Sequence, residues 1–171
     1  METPLAITET GGGMFSPDGK SMVYTPIDRD FRGWKRYRGG RAQDVWTYDL
    51  VNNQSHRLTY FTGSDHQPMW LGDDIYFVSD RSTTLNLFRL SVGSDDRQSQ
   101  PEALTTFNDF DVLWPSAGPG GIVFENGGAI WRYDVDSGTA KALKIDVVAD
   151  IAATLPVIKN IAANIESFDL S

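Results

Sequence analysis

An all-β fold, a β-propeller fragment of about three four-stranded blades plus the start of a fourth unit, is what this sequence predicts. Three observations carry that expectation. Trp46, Phe88 and Trp131 align within similar alternating segments, with spacings of 42 and 43 residues. Each segment runs through a polar turn into a short closing strand, and each is preceded by another hairpin-like unit. The resulting period, about 40–45 residues for four short strands, is that of a propeller blade.

The alternating segments are Asp44–Leu50, Asn86–Val92 and Ala129–Val135. Apolar and polar residues alternate in each, as in a strand with one buried face. The turns that follow are Val51–Gln54, Gly93–Asp96 and Asp136–Gly138, and the closing strands are His56–Thr59, Glu102–Thr105 and Lys141–Lys144. The preceding units are Gly13–Lys20 with Ser21–Thr25, Pro68–Asp74 with Ile75–Ser79, and Leu113–Gly118 with Gly121–Glu125. Here an aromatic residue, a tight turn and an apolar strand recur. In Ser16-Pro17-Asp18-Gly19 the turn has a mechanism: Pro presets φ, Asp bonds its own backbone, and Gly accepts positive φ. Trp70 and Trp114 are taken as equivalent, 44 residues apart.

These units divide the chain into three blades over residues 1–144, at about 11–64, 65–109 and 110–144. Residues 145–165 read as an interdomain linker with a short helical turn, interrupted at Pro156. Residues 166–171 read as the start of another repeat. A closed ring needs at least about four blades, so the expectation is a segment of a longer protein.

Composition narrows the function classes. Twenty aromatic residues, sixteen Gly and eight Pro favour strands and turns. The net charge of -8 argues against nucleic acid as a partner, which calls for a basic surface. No Cys is present, so disulfides and thiolate metal sites are excluded. No apolar run has the length of a membrane span, and no membrane partner is expected.

Catalytic, cofactor and metal sites are all expected to be absent. His56 and His66 are the two histidines. His56 reads as an exposed strand residue. His66 lies in Gly63-Ser64-Asp65-His66, read as a loop, because a Ser–His–Asp triad is assembled in space and not from adjacent residues. Neither a Gly-x-Ser-x-Gly elbow nor a His-Glu-x-x-His motif occurs. Asp73-Asp74, Asp95-Asp96 and Asp109 with Asp111 lack the regular spacing of a calcium loop and read as solvated turns. Gly11–Gly13 and Gly118–Gly121 precede strands rather than helices, which fits loops and not phosphate cradles.

One insertion stands out. Residues Asp28–Arg41 hold six of the fifteen Lys and Arg, and Phe31, Trp34 and Tyr37 recur every third position. Three large aromatics imply packing against the propeller or a neighbouring domain. Its Arg36 and Arg38 are candidate contacts for peptide carboxylates; the competing expectation is an ordered loop whose charges pair with nearby Asp and Glu.

The sequence resembles a known family at these residues. Phe15–Lys20 is similar to the repeat of TolB-like propellers. The run Phe31–Gly40, followed by Ala42–Trp46, resembles the N-terminal six-bladed propeller of tricorn-type proteases, peptidase family S41. Pro68–Trp70, Ile75–Asp80, Asn86–Phe88 and Ile165–Ser171 fit the same pattern. The resemblance implies a non-catalytic propeller segment of a large oligomeric serine protease, a scaffold that gives peptides access to a downstream catalytic core. Its partners would be the remaining blades and core of the parent protein and further copies of it, with peptides as ligands, no cofactor, and a cytoplasmic location, a periplasmic one staying open. The family's catalytic residues map to no position of this chain. A TolB-like protein-binding module and the propeller cap of a prolyl-oligopeptidase-type hydrolase are the alternatives.

Overall fold

A computed structural model describes residues 4–27, 35–92 and 100–147, with scattered positions from 156 to 169. Sheet 1 contains β1 (Gly13–Phe15), β2 (Ser21–Tyr24), β3 (Trp46–Asp49) and β4 (Gln54–Arg57). Sheet 2 contains β5 (Asp65–Leu71), β6 (Asp74–Ser82), β7 (Thr84–Ser91) and β8 (Glu102–Ala103). Sheet 3 contains β9 (Leu113–Gly118), β10 (Gly121–Asn126), β11 (Ala129–Asp134) and β12 (Thr139–Ala142). Each sheet is antiparallel with its strands in chain order. Among the described residues the one helical element is a 3-10 turn at Ala162–Asn164. Most of the segment read as a linker lies outside the described residues, as do Phe168, Leu170 and Ser171 of the terminal repeat start and Asp95-Asp96.

Neighbouring sheets meet along their first strands, β1 against β5 and β5 against β9. The sheets therefore fan from a shared inner edge, which is the arrangement of propeller blades. Alternation along each strand sends one set of side chains to each neighbour. Val23 and Val45 of sheet 1 pack against Ile75, Phe77, Phe88 and Leu90 of sheet 2. Tyr76, Val78 and Leu87, on the opposite face of sheet 2, pack with Ile122, Phe124 and Tyr133 of sheet 3. The repeat aromatic thus always turns toward the preceding side. Phe88 stacks on Phe77 at 6.1 Å between ring centroids, and Trp131 meets Phe107 edge-on at 4.9 Å. Trp46 packs beside Met22, Tyr24 and Tyr48 on the outer face of sheet 1, where Ile7 covers it.

The strand register corrects one sequence equivalence. Trp70 pairs with Ile75 across a two-residue turn, and Ala117 pairs with Ile122 across the matching turn. Trp70 therefore corresponds to Ala117. Trp114 corresponds to Gln67, since both follow the last regular pair and precede a proline. Both have φ of 51° and sit at register shifts in β9 and β5. One tryptophan lies at the bulge and the other beyond it, so a match made on the tryptophans alone misaligns the strands.

The closing strands also end earlier than the sequence suggests. β4 and β8 stop before Leu58-Thr59 and Leu104-Thr105 because these pairs turn back onto the third strand. The Leu58 amide donates to Val45 O, and the Val45 amide to Thr59 Oγ1 at 3.0 Å. In sheet 2 the Leu104 amide donates to Leu87 O, and the Leu87 amide to Thr105 Oγ1 at 2.9 Å. A polar residue completes each clip. Asp44 accepts bonds from Thr59 and the Phe61 amide, and Asn86 from Thr105 and the Phe107 amide. In sheet 3 the corresponding positions hold Ala129 and Lys144, which cannot form it.

Candidate functional site

The insertion is where the sequence concentrates cationic side chains, and its described part, residues 35–41, runs over the ends of sheets 2 and 3. Lys35 Nζ lies 2.5 Å from the Asp111 carboxylate, just before β9. Arg36 donates through Nε to Thr83 O at 2.7 Å, at the β6–β7 corner. Arg38 pairs with Asp80 at 2.5 Å, and its guanidinium lies 5.3 Å from the Phe61 ring centroid. The structure places both candidate arginines on one segment with different commitments. Arg38 holds a carboxylate that is only 3% exposed. Arg36 is exposed, and no hydrogen bond occupies its terminal nitrogens among the described residues. Phe31 and Trp34 lie outside the described residues. Tyr37 is half-buried and folds over Gly39, where a Cβ would sit 2.3 Å from its hydroxyl.

The seat beneath this segment is ionic and tight. Phe61 is covered by Arg81 at 4.5 Å as well as by Arg38. Arg81 in turn binds the fully buried Asp65 at 2.6 Å. Burial pushes the Asp65 carboxyl above its ordinary range, against the opposing pull of Ser79, Arg81 and Thr59. At Asp111 burial also pushes upward, but Lys35 and the Leu85 amide outweigh it and hold the carboxyl below the usual value. A Cβ on Gly63 would meet Asp80 Oδ1, Arg38 and Phe61 at 2.3–2.4 Å, so a larger residue there would require these side chains to shift.

Four sequence expectations change here. His66 lies in strand β5, paired with Val78, and not in a loop. Asp65 belongs to the same strand and is a buried ion-pair partner. Asp111 is no solvated turn: its side chain is 9% exposed and it joins the insertion to the start of β7. Nothing in the local string around Asp65 or Asp111 signals this, because their partners lie 16 and 76 positions away in sequence. Asp73 is an exposed turn residue, as expected. Asp74 instead faces Arg89 at 3.7 Å.

Elsewhere a shallow groove of about 300 Å³ lies between the β1–β2 and β5–β6 turns, lined by Ser16, Asp18, Trp70 and Asp73 among others. Asp18 is committed to Ser16 Oγ at 2.7 Å and the Lys20 amide. Among the described residues no group of three or more His, Asp or Glu is placed to hold a metal ion, and no helix is long and apolar enough to cross a membrane.

Comparison with known proteins agrees with this architecture. Residues 1–139 match the sequence model of the tricorn protease N-terminal beta propeller domain. Tricorn protease homolog 1 of Streptomyces coelicolor is 30% identical over 128 residues, covering 74% of this chain and 11% of that protein. The chain thus spans about a tenth of the length of this relative. The crystal structure of the tricorn protease superposes with a TM-score of 0.66 at 21% identity, over 81% of this chain and 13% of that one. TolB from Acinetobacter baumannii superposes with a TM-score of 0.59 at 23% identity, over 78% of this chain and 32% of that one. At these identities the two structures share the fold.

Proposed function

The chain belongs to the tricorn protease N-terminal beta propeller family, and from that premise we propose that it is a non-catalytic segment of a tricorn-type serine protease, serving as scaffold and as part of the route by which peptides reach a catalytic core elsewhere in that protein. The observation that supports this best is the fan of three sheets converging on their first strands, together with the family match over residues 1–139. A fan of this kind leaves an inner edge along which an extended peptide can travel. The parent assembly, in this proposal, supplies the other blades, the core and further subunits.

Within that role Arg36 is the peptide contact and Arg38 the residue that positions it. Arg36 is held by one bond to a backbone carbonyl, so its planar fork is pre-oriented while its outer nitrogens remain for a carboxylate. Arg38 is occupied by Asp80.

The test uses the protease that contains this segment, with paired peptides carrying a free or an amidated C-terminus. Arg36→Glu is expected to raise KM for the free-carboxylate peptide about tenfold, since losing a charge-assisted bond costs roughly 1.5 kcal/mol or more. It leaves kcat and the amidated peptide unchanged. Equal KM values for wild type and variant on both peptides would remove Arg36 from peptide binding.

A further inference from the structure

We infer that residues 35–41 act as a latch that couples the three sheets, so that they open as one unit. The loop topology does not need this segment. In sheet 2 the second and third strands are joined through Thr83 alone, and in sheet 3 through Gly127-Gly128. In sheet 1 the same connection spans residues 25–45, and its described residues 35–41 lie against the neighbouring sheets. It leaves sheet 1, binds the Thr83 carbonyl and Asp80 of sheet 2, and reaches Asp111 at the entry to sheet 3. Asp111 simultaneously accepts the Leu85 amide at 3.0 Å. One carboxylate therefore ties the latch, β7 of sheet 2 and the entry to β9.

Backbone strain marks the same place. Arg36 has φ of 52° and Thr83 φ of 72°, the latter a genuine outlier for a β-branched residue. The two strained residues face each other across the Arg36 Nε–Thr83 O bond. Such conformations persist where surrounding contacts over-determine them. Gly63 lies directly beneath the Asp80, Arg38 and Phe61 side chains, so a Cβ there would have to displace the Arg38–Asp80 pair.

The inference does not depend on the peptide role of Arg36. It is tested in the intact parent protein by hydrogen exchange followed peptide by peptide. Two variants are compared with wild type: Lys35→Met, and Arg38→Met combined with Asp80→Leu, which removes both charges and leaves no buried carboxylate alone. Each is expected to speed amide exchange in β10 and β11, which the latch does not touch, by about tenfold, while wild type in 1 M salt moves in the same direction because the cationic partners are exposed. If exchange quickens only within residues 35–41 and their direct partners, with β10 and β11 unchanged, the segment is a passive loop and the inference fails.

Discussion

Replacing Asp65 with alanine is expected to lower the unfolding free energy of the propeller unit by roughly 3–5 kcal/mol, the cost of leaving a buried ion-pair partner alone. Asp65 is fully buried, and Arg81, whose side chain is 24% exposed, has its terminal nitrogen on it at 2.6 Å. The Asp65 amide also donates to Gln43 O, so the residue sits at the join of sheets 1 and 2. Without the carboxylate, Arg81 keeps its stacking on Phe61 but loses its ion-pair partner. Replacing both partners, Asp65→Leu with Arg81→Met, is expected to recover most of the loss, since apolar replacement of a buried pair is often neutral. Urea unfolding of wild type, Asp65→Leu, Arg81→Met and the double replacement gives the cycle directly. The sign of the pH effect is also set. Burial raises the folded carboxyl above 3.8, so the folded state binds the proton more tightly than the unfolded one. The stability difference between wild type and the double replacement should therefore shrink as pH rises through that interval. A single alanine cost under about 1 kcal/mol would mean that Asp65 carries little of the join.

Asn86→Ala is expected to be nearly as damaging, at about 3 kcal/mol. Asn86 is fully buried. Its Nδ2 reaches Phe107 O at 2.9 Å and also Ser82 Oγ and Thr84 O. Its Oδ1 accepts from Thr105 Oγ1 and the Phe107 amide, both at 2.8 Å. Sheet 1 solves the same problem with Asp44, whose extra charge is met by Arg57 at 2.5 Å. At the position of Arg57 sheet 2 has Ala103. Asn86→Asp alone should thus lose at least as much as the alanine variant, because an unpaired carboxylate would be buried against the Thr84 and Phe107 carbonyls, and Asn86→Asp with Ala103→Arg should regain stability by rebuilding the arrangement of sheet 1. Thermal or urea midpoints decide the order. An aspartate variant as stable as wild type would show that the amide donor is dispensable.

The two clips show where sequence reasoning reaches and where it stops. Leu58-Thr59 and Leu104-Thr105 repeat visibly, and so do the strands before them, because hairpins are local and their side chains alternate. That the threonine returns to cap the third strand became legible only with the register. The propeller itself was legible for the same reason, three local patterns repeated at one period. The match of Trp70 to Trp114 failed because the two tryptophans stand at different places in their strands, Trp114 at the bulge before Pro115 and Trp70 beyond the equivalent bulge before Pro68, and no alternation pattern reveals where a bulge lies. Most of the basic insertion's chemistry was invisible. Lys35 and Arg38 find Asp111 and Asp80 across separate sheets, and a sequence shows only that cations are dense, not which acids they meet. Asp65 was hidden more deeply still, since Gly63-Ser64-Asp65-His66 has the composition of a loop and the position of a strand start.

The central claim, that these three sheets are consecutive blades of a tricorn-type propeller, is tested most directly by an experimental structure of the protease that contains them. The expected result is β1, β5 and β9 facing a common axis, with Val123 and Ile130, now 40% and 46% exposed, buried beneath another four-stranded blade. A structure with those two residues in solvent and the first strands on the periphery would contradict it.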